Sequence, residues 1–528
     1  MRDFDFPGRS TVHACNGMAA TSHPLATGVA IDVLRKGGNA LDAAIAASAT
    51  LAVVEPQSTG IGGDCFALMC LGGSEEVIGF NGSGRAPAAA ALDLFLKQGM
   101  REIEATSVHA VTMPGAIDAW TRLHETHGWM DFSRLLAPAI AYARGGYPVH
   151  ARVRFDWLRA ANQLRQNEAA RAVFLPRDQV PGEGDLHCQP ALAETLAKVA
   201  AGGRRAFYEG EIAEAMTATL RAAGGCHVLE DFAAVQGEYV TPICTDYRGI
   251  RVHQIPPNNQ GLTALIMLNI LEGFDLQDWA PLSAERTHLE AEAGRLAFAA
   301  RNAAIADPAS MTAKLERLLS KDWAGELRSS IRLDRPLENL PDLGLRKSDT
   351  VYVCVVDRDL NAVSFINSIY DSFGSAILCP QTGVLFQNRG RSFRLDADHP
   401  NCIGPSKRPM HTIMPGMVTR AGRALMPYGV MGGDYQPFGH TRLLTNVFDY
   451  GLDVQAALDM PRVFAGESSL ELEKSFPAET IRALLAIGHD VRLAPEPLGG
   501  GQAILIDHGR GILSGGSDPR KDGCALGY

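Results

Sequence analysis

Apolar positions along the chain follow a helical period in its first two-thirds and an alternating period in its last third. In "SHPLATGVAIDVLRKGGNALDAAIAASATLAVV", residues 22–54, two consecutive helices are predicted. Pro24 suits a first turn, Gly37 and Gly38 stop the first helix, and Asn39 with Asp42 forms a capping box for the second. The second helix carries small or apolar residues all round, which predicts burial between two layers. "STGIGGDCFALMC" then turns through glycines into a strand ending near Cys70. From about 100 to 235 the pattern is mainly helical, with turn signals at "MPGA", "GGYP" and "VPGEGD". A strand is predicted at "YRGIRVHQIPP", then the apolar helix "LTALIMLNILEGF" and another helix over 283–303. The mixed stretch 306–349 ends in the extended connector "DRPLENLPDLGLRKSD". After it the period becomes two. Val351, Val353 and Val355 alternate with Tyr352, Cys354 and Val356, apolar on both faces, as in a central strand covered on two sides. "DRDLN" is the turn, "AVSFINSIY" the partner strand, and "GGQAILIDHGRGILSGGSDPR" repeats the hairpin at the tail.

A length of 528 residues allows two to four ordinary domains or one large α/β domain, and 46% apolar with 20% charged residues describes a soluble globular protein with ample core. The net charge of −10, with Lys and Arg scattered, excludes the basic stripe that nucleic acid requires. The N-terminal "MRDFDFPGRSTVHACNGMAA" breaks any signal-peptide core with acids and a proline, and no stretch reaches the ~18 apolar residues of a membrane span. A cytoplasmic protein without membrane contact is expected. The ten cysteines form no C-x-x-C pair and no Cys/His ligand spacing, which predicts isolated buried thiols and no metal.

There is no G-x-S-x-G elbow, Walker A loop, H-E-x-x-H or Rossmann fingerprint, and "TGIGGD" reads as a tight turn. What remains is a nucleophile that only proteolysis reveals. A threonine hydroxyl needs a base, and a free α-amine, with a pKa of about 8, can be that base on the same residue. Cleavage between Asp349 and Thr350 creates nucleophile and base together, at the head of a rigid strand. Taken alone, Thr350 is ordinary strand composition.

The rest of the chain resembles the γ-glutamyltransferase family of N-terminal nucleophile (Ntn) hydrolases nearly end to end. The resemblance rests on "GMAATSHPLATGVAIDVLRKGGNALDAAIAASATLAVVEPQSTGIGGDCF", "YRGIRVHQIPPNNQGLTALIMLNILEGFD", "DTVYVCVVDRDLNAVSF", "GPSKRPMHTIMP", "GVMGGD" and "GGSDPRKDGCALGY", in that order. It implies an α+β fold, a four-layer αββα Ntn-hydrolase sandwich made as a single precursor. That precursor is cut into a large subunit, 1–349, and a small subunit, 350–528, with a dimer of such heterodimers as a further expectation. It implies Thr350 as nucleophile, Gly432 and Gly433 as oxyanion donors, Ser368 as the group orienting Thr350, and no cofactor.

The donor site departs from the family. Ser83 stands at the place of the arginine that holds a γ-glutamyl α-carboxylate, with Arg85 two residues on. Tyr370 replaces an asparagine, Arg389 a Gln or Glu, and Ser392 an acid, while His411 and Thr412 replace paired serines. A substrate ammonium would meet Arg389 instead of a carboxylate, so an ordinary γ-glutamyl donor is disfavoured. Arg389 can instead pair with a substrate carboxylate, or internally with Asp371 or Asp434. The "NRG", "HPN" and "KRPMHT" pattern resembles the divergent branch that includes oxamate amidohydrolase and cephalosporin-acylase-like proteins. Three readings stay open. They are a self-processing amidohydrolase for a small carboxylate-bearing amide, a γ-glutamyl transferase or glutathione hydrolase with a different donor site that uses Arg85, and a lapsed family member serving as a binding scaffold.

Overall fold

The computed structural model describes residue 5 and residues 8–338, 343, 350–466 and 469–528. Two seven-stranded antiparallel sheets form its centre. In the first, Met18–Thr21, Val351–Val356, Ala362–Ser368, Asp64–Cys70 and Val77–Gly82 run side by side, flanked by Ala525–Gly527 and Glu238–Val240. In the second, Ile512–Ser517, Gly500–Asp507, Arg423–Met431, Gly416–Arg420 and Ile250–Gln254 lie between the edge strands Val12–Ala14 and Ile243–Tyr247.

The period-two pattern decides the layering. Tyr352, Cys354, Val356 and Phe66 point into a core shared with Met417, Met431, Ile504 and Ile506 of the second sheet. Val351, Val353 and Val355 point the other way, into a core with the helices Pro24–Arg35 and Ala40–Val54. The far face of the second sheet packs Val252, Val418 and Tyr428 on the helices Gly261–Leu271 and Ala284–Ala304. Helix, sheet, sheet and helix make the expected four-layer αββα sandwich. Every residue of Ala40–Val54 is buried, and its capping box of Asn39 and Asp42 is formed.

Strand Val351–Val356 pairs with Ala362–Ser368 along its whole length and with Met18–Thr21 from Val353 onward, and both of its faces are covered. Its first position is anchored by the ladder to Ala362–Ser368 and by burial on both faces. The thiols need a correction. Cys65, Cys70, Cys354 and Cys379 are buried, but Cys15, Cys188 and Cys244 are exposed. Cys244 sits on the edge strand Ile243–Tyr247, where alternate residues face outward whatever their polarity. Among the described residues no helix is long and apolar enough to cross a membrane.

Candidate active site

Thr350 is fully buried at the head of its strand, and its hydroxyl donates to Ser368 Oγ across 3.2 Å. Asp349, the other side of the expected scissile bond, lies outside the described residues. Ser368 ends the partner strand, and its Oγ also accepts the Tyr370 N–H at 2.9 Å. That bond stabilises an abrupt turn, because Tyr370 has a φ of 79°, a left-handed conformation costly for a bulky residue.

Opposite Ser368 in the ladder stands Asp64, a buried carboxylate at the start of an otherwise apolar strand. The pairing requires glycine at position 63, where a Cβ would lie 2.1 Å from the Ser368 carbonyl oxygen. Asp64 Oδ1 accepts the Gly84 and Gly115 N–H groups at 2.9 and 3.1 Å and Gln387 Nε2 at 3.0 Å. Its Oδ2 lies 2.9 Å from His411 Nε2. The carboxylate only accepts, which places the imidazole proton on Nε2. Burial, reinforced by the charge of Arg389 and opposed by Asp64, pushes the His411 pKa down to about 3. His411 is a neutral donor at physiological pH.

Burial holds His23 and His440 down to about 3 in the same way, and His23 Nδ1 accepts the Leu25 N–H as a helix cap. Between their ordinary value of 6.5 and about 3, the unfolded chain takes up protons that the folded chain refuses. Stability is therefore complete above pH 6.5 and falls as the pH drops, by about 1.4 kcal/mol per pH unit for each such histidine. The thermal midpoint is expected to fall progressively from pH 6.5 to 4.5. A midpoint constant over that range would show that these histidines protonate in the folded state.

Arg389 is fully buried at the start of the 3-10 turn Arg389–Ser392. Its Nη1 donates to Thr412 Oγ1 at 2.7 Å, and its guanidinium carbon lies 3.8 Å from the centre of the Tyr370 ring. The internal pairing with Asp371 or Asp434 does not form. Asp371 is held by Arg391 and Asn388, and Asp434 is paired with Arg301. Arg389 Nε and Nη2 have no acceptor among the described residues, and burial lowers the guanidinium pKa to about 10. Two parallel N–H donors on one edge of a buried cation match the two oxygens of a carboxylate.

Strand Arg423–Met431 ends in Gly432, with φ 125°, and Gly433, which opens a 3-10 turn leading into helix Gln436–Phe448. N–H groups at such a start have no intrahelical acceptor, so they are available to an anion. Gln260 ties this turn to the segment that binds Arg389, since its Nε2 donates to the carbonyls of Gly433 at 3.0 Å and Thr412 at 2.7 Å. Tyr370, Ser392 and Asp434 line a cavity of about 330 Å³ beside the turn.

Several of the expected side chains are already engaged by protein groups. Ser392 Oγ donates to the carbonyls of Arg389 and Met410. Arg85 is held by Asp307 and the Ser406 carbonyl, and lines a separate cavity with Pro256 and Pro257. Ser83 donates to Asn81 Oδ1 at 2.7 Å. Sequence reasoning missed Asp64, Gln387 and Gln260. The signal for Asp64 was a lone acid opening an apolar strand; the two glutamines gave none. His288, Glu292 and His489 bring ligand-type atoms within 4.8 Å of one another, but Glu292 pairs with Arg295 at 2.6 Å, so a cation there would face a guanidinium.

An αββα sandwich with a threonine at the head of a doubly covered strand is the framework of an Ntn hydrolase. The sequence profile of the γ-glutamyltranspeptidase family matches residues 26–528. The chain is 39% identical over 520 residues to the glutathione hydrolase-like YwrD proenzyme of Bacillus subtilis, covering 97% of this chain and 98% of that protein. It is 34% identical over 528 residues to the oxamate amidohydrolase proenzyme of Klebsiella pneumoniae, with coverage of 97% and 98%. Its structure is similar to that of cephalosporin acylase from Bacillus halodurans, with a TM-score of 0.93 and 38% identity over 100% of this chain and 99% of that one. The chain belongs to the γ-glutamyltranspeptidase family and is an Ntn hydrolase.

Proposed function

We propose that the chain cuts itself before Thr350, giving subunits 1–349 and 350–528, and then hydrolyses a small amide that carries a carboxylate. The observation that carries this reading is the Thr350 hydroxyl, buried at the head of its strand and donating to Ser368. In maturation the hydroxyl attacks the Asp349 carbonyl, the C–N bond breaks as the nitrogen takes a proton, and water hydrolyses the ester. The freed α-amine then accepts the hydroxyl proton as Thr350 attacks a substrate amide, and returns it to the departing amine. Gly432 and Gly433 N–H groups receive the tetrahedral oxyanion, each worth roughly 3 to 4 kcal/mol of barrier. Water releases the acyl group and restores the hydroxyl. Arg389 holds the substrate carboxylate through Nε and Nη2. The γ-glutamyl alternative lacks comparable support, because Arg85 is already engaged by Asp307.

The name of the oxamate amidohydrolase relative makes oxamate a sensible first substrate, assayed beside glutaryl amides and γ-glutamyl-p-nitroanilide. Turnover of the carboxylate amides is expected to exceed that of the γ-glutamyl anilide; efficient γ-glutamyl turnover stimulated by acceptor amines would refute the reading. Ser368 is a positioning residue. Ser368→Ala is expected to slow maturation and lower kcat about tenfold, the value of one hydrogen bond, with KM little changed. Ser368→Thr keeps the oxygen and should restore both rates. Equal losses in the two variants would show that Ser368 acts through packing.

A further inference from the structure

Asp64 braces two chain segments whose side chains meet a residue or two further on. Its Oδ1 accepts from Gln387 Nε2 at 3.0 Å, and its Oδ2 accepts from His411 Nε2 at 2.9 Å. Arg389 follows Gln387 by two positions and Thr412 follows His411 by one, and the 2.7 Å bond from Arg389 Nη1 to Thr412 Oγ1 joins the two segments. The imidazole pins its own segment from both ends. Nε2 donates to Asp64 while Nδ1 accepts the Ile413 N–H at 3.4 Å, and Thr412 lies between those anchors. The ring is fully buried, with the Phe66 ring edge-on at 4.8 Å between centres, so it has no room to turn aside. Holding the backbone does not require both carboxylate oxygens. Oδ1 alone serves Gly84, Gly115 and Gln387, which an asparagine oxygen could do equally well. Oδ2 serves His411, and only a carboxylate offers that second acceptor.

We infer that Asp64 is a positioning residue for the substrate carboxylate: through Gln387 and His411 it fixes Arg389 and Thr412, so that the guanidinium edge of Nε and Nη2 keeps one orientation. The inference rests on Arg389 as the partner of that carboxylate. An arginine without an acid of its own has few anchors. Here they are the Thr412 hydroxyl and the Tyr370 ring, since Asp371 and Asp434 are held by other arginines. A two-pronged pairing tolerates little angular error, so drift of the Thr412 anchor costs affinity directly. Asp64 makes no ion pair with Arg389 among the described residues, which leaves the open edge to the substrate. The same residue stands opposite Ser368 in the ladder, and Ser368 receives the Thr350 hydroxyl. The grip on the carboxylate and the nucleophile are thus built from one pair of strands.

The probe is oxalate, the acid that hydrolysis of oxamate yields, titrated by calorimetry into the wild type, Asp64→Asn, His411→Met, His411→Gln and Arg389→Met. Asparagine keeps one oxygen for the glycines and Gln387 but turns an amide NH2 toward the His411 Nε2–H. The imidazole must then change tautomer or shift, and Thr412 moves with it. Methionine removes the His411 donor alone, whereas glutamine returns an N–H where Nε2 stood. Oxalate should bind about tenfold more weakly to Asp64→Asn and His411→Met, and within about threefold of the wild type to His411→Gln. A double-mutant cycle on the kcat/KM ratio of oxamate to acetamide separates positioning from general damage. Asp64→Asn should lower that ratio about tenfold by itself and leave it unchanged beside Arg389→Met. Equal oxalate binding by the wild type and Asp64→Asn, or a ratio that falls again beside Arg389→Met, would overturn the positioning role. Arg389→Met binding oxalate as the wild type does would overturn it through the reading on which it rests. The expected oxalate losses with no turnover of oxamate would refute the hydrolase reading and leave the positioning role standing.

Discussion

Thr350→Ala is expected to remain a single chain of 528 residues and to hydrolyse no amide, whereas the wild type resolves into two fragments, the smaller beginning at Thr350. On the proposed mechanism the substitution removes the atom that attacks the preceding carbonyl and then forms the acyl-enzyme. Activity should fall by at least ~10³-fold, the usual cost of deleting a catalytic nucleophile. Folding should survive. Thr350 is buried, but its strand is hydrogen-bonded on both edges, and loss of one hydroxyl and one methyl costs about 1 to 2 kcal/mol. Thr350→Ser keeps the oxygen and loses only the methyl that fixes its rotamer, so it should mature more slowly and retain part of the activity. Intact-mass measurement over time decides. A Thr350→Ala chain cleaved at the wild-type rate would remove Thr350 from maturation, and a full-length wild-type chain with undiminished amidase activity would separate hydrolysis from cleavage.

The fold was legible wherever one local rule sufficed. The all-apolar helix Ala40–Val54 had to be a buried layer, and the doubly apolar strand after Thr350 had to be central. The site was legible only in part, because its geometry depends on residues far apart in sequence. Asp64 meets His411 across 347 positions and Gln387 across 323, and neither spacing leaves a periodic trace. Arg389 was visible as a charge in an unexpected place, but whether it was internally neutralised was not. That depended on Asp371 turning to Arg391 and Asp434 to Arg301, which the strained turn at Tyr370 and the glycine turn at Gly432 arrange. The same turns put Arg389 over the Tyr370 ring.

This placement gives Arg389→Met two effects of opposite sign. A buried guanidinium with Nε and Nη2 unpaired bears a desolvation cost that Thr412 and the Tyr370 face only partly offset. Methionine fills a similar volume without donors, so the variant should be as stable as the wild type or more so, with a raised thermal midpoint. Catalysis should move the other way. Removing a desolvated cation from a carboxylate it pairs with costs about 2 to 5 kcal/mol, so kcat/KM for oxamate should fall by about 10² or more. Acetamide, which has no carboxylate, should lose far less, and the ratio between the two substrates should collapse. Arg389→Lys retains the charge but not the two-pronged edge and should fall between them. A methionine variant that melts lower and keeps its oxamate preference would show instead that Arg389 holds the pocket together, with the substrate carboxylate read elsewhere. The cost of leaving two donors unpaired in the free enzyme is what makes the carboxylate the stronger expectation: a cation kept only for stability would have Asp371 or Asp434 as its partner, and both acids are bound to other arginines.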